Sequence, residues 1–129
     1  MQIALIAQDD KKELMTQLCI AYCGILAKHK LCSTATTGRF ISEATGLQFD
    51  LVLPGIDGGT EQIASRIAYG EIDLLLYFRD ASDEFDQGDA QIIQLCDTHN
   101  LPLATNLATA EALILALDRG DLDWRQNLR

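Results

Sequence analysis

A chain of 129 residues and 14.2 kDa is the size of one domain and leaves no room for a second core. Its 48% hydrophobic and 22% charged residues can bury enough apolar surface to offset chain entropy, which excludes intrinsic disorder. Nineteen acidic against ten basic residues give a net charge of -9, which opposes nucleic acid or an anionic membrane as partner, while screening beyond ~8 Å leaves a local cationic pocket free to take a small anion.

The start, MQIALIAQDDKK, has no basic leader and no small-residue cleavage site, and no run reaches the ~18 apolar residues of a membrane span. A cytoplasmic location is therefore expected. Residues 3–7 (IALIA) read as a strand, and 11–28 as an amphipathic helix, with Leu14, Leu18, Tyr22 and Ile25 recurring beside Met15, Cys19 and Leu26. A second strand follows at 31–34, a short helix at 40–45, a third strand at 49–54 and a helix near 60–70 carrying Ile63 and Ile67. The fourth strand covers 73–78, a helix near 89–99 carries Ile92, Ile93 and Cys96, the fifth strand covers 101–105, and a last helix spans 108–118 before Gly120.

Near-continuous apolar strands separated by helices suit a parallel sheet covered on both faces, a three-layer α/β/α fold with right-handed crossovers. The whole of 1–129 is then one domain. Ligands bind such sheets outside the carboxyl ends of the strands, so chemistry is expected after residues 7, 34, 53, 78 and 105.

Thr34-Ala35-Thr36-Thr37-Gly38 puts hydroxyls at a helix start, which reads equally as an N-cap cluster or as an anion site. Pro54-Gly55-Ile56-Asp57-Gly58-Gly59-Thr60 reads as a glycine turn or a close approach to a ligand; it is neither GxGxxG nor a Walker loop. Lys12, in the first turn of a helix, opposes the helix dipole and so invites an anionic partner beside Asp9. Most acids of the loop from Ser82 to Asp89 read as solvated. His29 and His99 read as helix C-terminal charges or surface groups, and Cys19 and Cys23 as buried free thiols; no metal site is expected.

Together, IALIAQDDKKELM, TATTGRFISEATGL, GIDGGTEQI, IDLLLYFRD and LPLATNLATAEALI, in register at five strand ends, resemble the methylglyoxal synthase family over nearly the whole chain. The resemblance implies a five-stranded parallel sheet of order 3-2-1-4-5, assembly as a homo-oligomer, usually a hexamer, and no cofactor. It implies a carbon-oxygen lyase reaction: a base removes a proton beside the carbonyl of dihydroxyacetone phosphate, an enediolate forms, and phosphate leaves to give methylglyoxal. The family's phosphate cradle falls on Lys12, Thr34, Ala35, Thr36, Thr37 and Gly55, with Pro54 where the family has a serine; Asp9, Asp80 and Asp89 fall on its acidic positions. In the tail, Arg125 matches an arginine that family members place at a subunit interface.

The departures concern proton transfer. The family's GGD base reads Gly58-Gly59-Thr60 here, the histidine of its AHD segment is Gln8, and that of its HxPD segment falls on Asp86. A threonine hydroxyl is no useful base at neutral pH without an activating partner. The sequence therefore leads to a binder of a small phosphorylated metabolite with lyase activity weak or lost, and alternatively to an active synthase whose base is Asp57, Glu61 or Asp86.

Overall fold

The computed structural model describes residues 1–128. Five strands, β1 (Gln2–Ala7), β2 (Lys30–Thr34), β3 (Asp50–Val52), β4 (Leu74–Phe78) and β5 (Leu103–Ala104), pair in parallel in the order β3-β2-β1-β4-β5. The central strands carry the most continuous apolar runs because helices cover both faces of the sheet there. Ile3, Ala4 and Leu5 of β1 and Leu74, Leu75 and Leu76 of β4 are all fully buried.

Six helices join the strands: α1 (Lys12–Ala21), α2 (Cys23–Leu26), α3 (Ala35–Thr45), α4 (Gly59–Ala68), α5 (Gln87–Thr98) and α6 (Leu107–Asp118). Alternation along β1 divides the core. Ile3, Leu5 and Ala7 pack with Met15, Leu18 and Cys19 of α1, Ile41 of α3 and Ile114 of α6. Ala4 and Ile6 face the other layer, with Ile63 and Ile67 of α4 and Ile92 and Cys96 of α5. Each large aliphatic side chain buried this way contributes about 1.5–3 kcal/mol.

Four elements differ from the sequence expectation, among them the fifth strand, expected over 101–105 and reduced to Leu103–Ala104. The helix expected over 11–28 breaks at Tyr22 (φ -112°, ψ 24°), and only a single turn follows, around Gly24, a weak helix former. The helix expected at 40–45 begins at Ala35 instead. Its first turn holds Gly38 because a Cβ there would stand 2.3 Å from Leu51 Cδ2 and 3.0 Å from Ser33 Oγ, so tertiary contact overrides propensity. The third strand shrinks to Asp50–Val52 at the sheet edge, where Leu51 and Leu53 are exposed, so this strand lacks the two-sided cover of the others.

The tail closes the opposite end of the sheet. A 3₁₀ turn at Asp123–Leu128 carries Arg125, 5% exposed, whose guanidinium donates to the carbonyls of Asn100 and Ile72 and pairs with Asp73 Oδ1 at 3.5 Å. Asp73 in turn accepts from the Gln2 amide at 2.8 Å. Arg125 is thus engaged inside its own chain, because a carboxylate 1% exposed needs a cation beside it.

Candidate ligand site at the strand ends

A cleft of about 780 Å³ opens at the carboxyl ends of β1, β2, β3 and β4. It is lined by Gln8, Asp9, Lys12, Thr34, Thr36, Pro54, Gly55, Thr60 and Asp80 among the residues singled out in the sequence. Loops from four strands meet there because a parallel sheet puts all their carboxyl ends on one side.

The floor is the start of α3. Thr34 occupies the N-cap position in an extended conformation, yet no side chain caps the helix. Its hydroxyl donates instead to Thr37 Oγ1 at 3.2 Å, and Thr37, 1% exposed, donates to the Ala7 carbonyl (3.2 Å) and accepts from the Ala7 amide (3.3 Å). The N-cap alternative is therefore not realised; of the first-turn amides of α3, that of Ala35 donates to the Leu53 carbonyl at 3.5 Å. Thr37 ties β1 to α3 rather than lining the cleft, and Ala35 is likewise buried beneath it. The exposed Thr36 lines the cleft.

Lys12 reaches over the end of β1, its ammonium donating to the Ala7 carbonyl at 2.7 Å and to Asp9 Oδ1 at 2.9 Å. An ammonium has three donors, so one is left for an incoming acceptor. The ion pair holds the Asp9 carboxyl below the usual carboxylate range, first through the hydrogen bond from Lys12 and then through its charge.

The Pro54 to Thr60 loop supplies the side of the cleft. Gly58 has φ 103°, and a Cβ on Gly59 would stand 1.8 Å from the Leu53 carbonyl oxygen, so both glycines are required by the backbone. That contact lets α4 start against β3 and brings Thr60, half-buried, to the cleft. Asp57 and Glu61 are exposed and do not line it.

Across the cleft, Gln8 Oε1 accepts from the Asp80 amide at 2.6 Å. Asp80 Oδ1 accepts from the Ser82 amide (2.9 Å) and hydroxyl (2.7 Å), and these two bonds lower its pKa to about 2. The facing Asp10 carboxyl is displaced upward, chiefly by its hydrogen bond with Asp80. Asp86 and Asp89 stay outside the cleft: they form a reciprocal capping box at the start of α5, Asp89 N to Asp86 Oδ1 at 2.8 Å and Asp86 N to Asp89 Oδ2 at 3.2 Å. Asp89, 4% exposed, also accepts from the Tyr77 hydroxyl at 2.7 Å and pairs with Arg79 at 3.2 Å, so it is the exception among the acids of that loop. Burial and this hydrogen bond raise the Tyr77 phenol well above its ordinary pKa.

Asp10, Ile56, Tyr77 and Asp83 also line the cleft without having been singled out as binding residues. Asp10 was findable from its place one residue after Asp9; Tyr77 carried a signal as the one polar tip in the apolar run of β4. Elsewhere, His29 faces the chain's amino terminus (Nδ1 3.2 Å from Met1 N), and burial first, with that ammonium, favours its neutral form, so it is not a helix-end charge. Cys19 is buried, its thiol pushed up to about 12, first by burial, whereas Cys23 is half-buried. Among the described residues, no three His, Cys, Asp or Glu side chains are grouped to hold a metal ion, and no helix is long and apolar enough to cross a membrane.

A family model described as MGS-like domain matches residues 18–105. The chain is 56% identical over 128 residues to a methylglyoxal synthase of Caldicellulosiruptor saccharolyticus, covering 98% of this chain and 91% of that protein. This chain belongs to the methylglyoxal synthase family. A methylglyoxal synthase of Oceanobacillus iheyensis is 47% identical across all of this chain and 94% of its own length. The crystal structure of methylglyoxal synthase from Elizabethkingia anophelis NUHP1 superposes with a TM-score of 0.80 at 36% identity, over 88% of this chain and 76% of that one. The strand order implied by the family resemblance is the one found here.

Proposed function

We propose that the cleft binds a small phosphorylated metabolite, with its phosphate seated at the N-terminus of α3 between Lys12 and the hydroxyl of Thr36, above Thr34, and that lyase turnover is weak or lost. The observation that carries this reading is the uncapped start of α3 in the same cleft as a lysine with one donor to spare. A helix start of this kind favours a phosphate through its free N–H groups and dipole, and the ammonium adds a charge-assisted bond.

The weak chemistry follows from what lines the cleft. By the family resemblance Thr60, a hydroxyl, stands for the base and Gln8, a neutral amide, for the histidine, and both line the cleft. Asp9 and Asp80 are held with lowered proton affinity by Lys12 and Ser82, which makes them poor at taking a proton from carbon. Absence of a positioned general base slows such a step by about 10²–10⁴.

The kinship at 56% identity favours a second reading, an active synthase. In that case Asp10 replaces the three candidates named from sequence, since it lines the cleft and its carboxyl has raised proton affinity. Phosphate release from dihydroxyacetone phosphate decides between the two, measured for the unmodified protein, Thr60→Asp, Asp10→Asn and Lys12→Ala. The first reading expects near silence, a gain of about 10²-fold or more in Thr60→Asp, and loss of phosphate binding in Lys12→Ala. Ready turnover that collapses in Asp10→Asn refutes it in favour of the second.

A further inference from the structure

The sheet ends at β3, whose outer edge has no strand beside it. Four large apolar side chains stand uncovered on that side of the molecule: Phe40, Leu51 and Leu53, each partly exposed, and Ile56, 96% exposed. They adjoin one another in the fold. Leu51 Cδ2 lies 2.3 Å from where a Cβ on Gly38 would stand, two residues before Phe40, and Leu53 and Ile56 follow directly after β3. Monomeric proteins rarely leave a contiguous apolar patch of more than a few hundred Å² open to water, so a face of this kind calls for a partner.

Charge decides which partner fits. Helix α3 lies on one face of the sheet and α4 on the other, since Ile41 and Ile63 join different core layers. On the α3 side the β3 edge carries Arg39, and on the α4 side Asp57 and Glu61. All three are exposed, and none has an ion pair among the described residues. Arg39 stands one turn into α3 and Glu61 in the first turn of α4, so both lie towards the carboxyl end of the sheet. A half-turn about an axis parallel to β3 exchanges the two faces of the sheet and leaves its carboxyl end in place. It therefore sets Arg39 of each copy beside Asp57 and Glu61 of the other, with the four apolar side chains meeting at the axis. That is the self-complementarity a two-fold contact requires, an apolar centre with opposite charges at its rim. We propose that the open β3 edge is an interaction surface for a second copy of this chain, docked about a two-fold axis parallel to β3. The contact borders the cleft, because Ile56 belongs to both, yet it is independent of what the cleft binds.

Sedimentation of the full chain at micromolar concentration and low ionic strength tests it. The unmodified protein is expected at an even multiple of 14.2 kDa, and Leu53→Asp and Phe40→Asp, each placing a carboxylate at the centre of the face, at half that mass. Neither side chain lines the cleft, and thermal melts establish that each variant is folded. Arg39→Glu sets like charges opposite one another and is expected to halve the mass as well. Adding Glu61→Arg to it remakes the pair with the signs exchanged and should return the full mass. Should Leu53→Asp or Phe40→Asp fail to fold, the two charge variants, both at exposed side chains, carry the test. An odd multiple of 14.2 kDa for the unmodified protein, the monomer included, overturns the inference, as does an unchanged mass in the folded aspartate variants. Full mass in Arg39→Glu, or no return of it with Glu61→Arg, overturns the two-fold arrangement and the inference with it.

Discussion

Arg125→Met should be among the most damaging single substitutions in this fold, although it lies at the end of the sheet away from the cleft. The guanidinium is 5% exposed and serves two carbonyls, of Asn100 and Ile72, besides the Asp73 carboxylate, itself 1% exposed. Methionine keeps much of the apolar stem but removes the charge. Stripping one partner from a buried ion pair costs about 3–5 kcal/mol, since the other charge stays desolvated. Against a typical total of about 5–15 kcal/mol, that is a large share of the stability. At roughly 4 °C per kcal/mol for a domain of this size, the melting temperature should fall by about 12–20 °C. Pairing the change with Asp73→Asn removes the buried carboxylate as well, so the double variant should recover part of the loss in a double-mutant cycle. Circular dichroism melts and urea titrations measure both quantities. Arg125→Met melting within about 3 °C of the unmodified protein would refute the argument that this pair clamps the tail.

Two further predictions follow from the backbone and from one histidine. Gly59→Ala would drive a Cβ to 1.8 Å from the Leu53 carbonyl, a backbone atom with no side-chain freedom to yield, so a loss of about 3 kcal/mol or more is expected in urea unfolding, whereas Gly24→Ala, with open space around it, should change stability by under about 1 kcal/mol. His29 has a lowered pKa in the fold, so the unfolded chain binds the extra proton first; the stability tied to its neutral form is complete above the ordinary value near 6.5 and drains away as the pH falls below it. Urea midpoints at pH 7.5 and 5.5 should therefore lie further apart in the unmodified protein than in His29→Gln, and equal separations would contradict the assignment.

Strands β1 and β4 were legible because burial on both faces leaves an unbroken apolar run, and four of the five strand ends expected to carry chemistry border the cleft, the end of β5 contributing nothing to its lining. The family resemblance then supplied the sheet order. Less legible was whatever depends on a distant partner. Gly38 lies inside a helix only because Leu51 comes within 2.3 Å of where its Cβ would be, and no local pattern encodes that. Asp89 looked like its solvated neighbours, yet Tyr77 and Arg79 converge on it from β4. Asp57 and Glu61 flank the glycine turn in sequence but face outward, because the turn fixes where α4 starts and sends only Thr60 inward.

The separation of the Arg125–Asp73 clamp from the cleft has an evolutionary consequence. The clamp joins residues near the amino ends of β1, β4 and β5 to the tail, whereas the side chains lining the cleft sit at or beyond the carboxyl ends of the strands. Substitutions at the ligand end, for example at Gln8, Pro54 and Thr60, can therefore accumulate with little effect on the cohesion of the sheet. A lineage on this scaffold can lose or exchange a chemistry while remaining soluble and folded, and combinatorial libraries restricted to the cleft should yield mostly well-folded members.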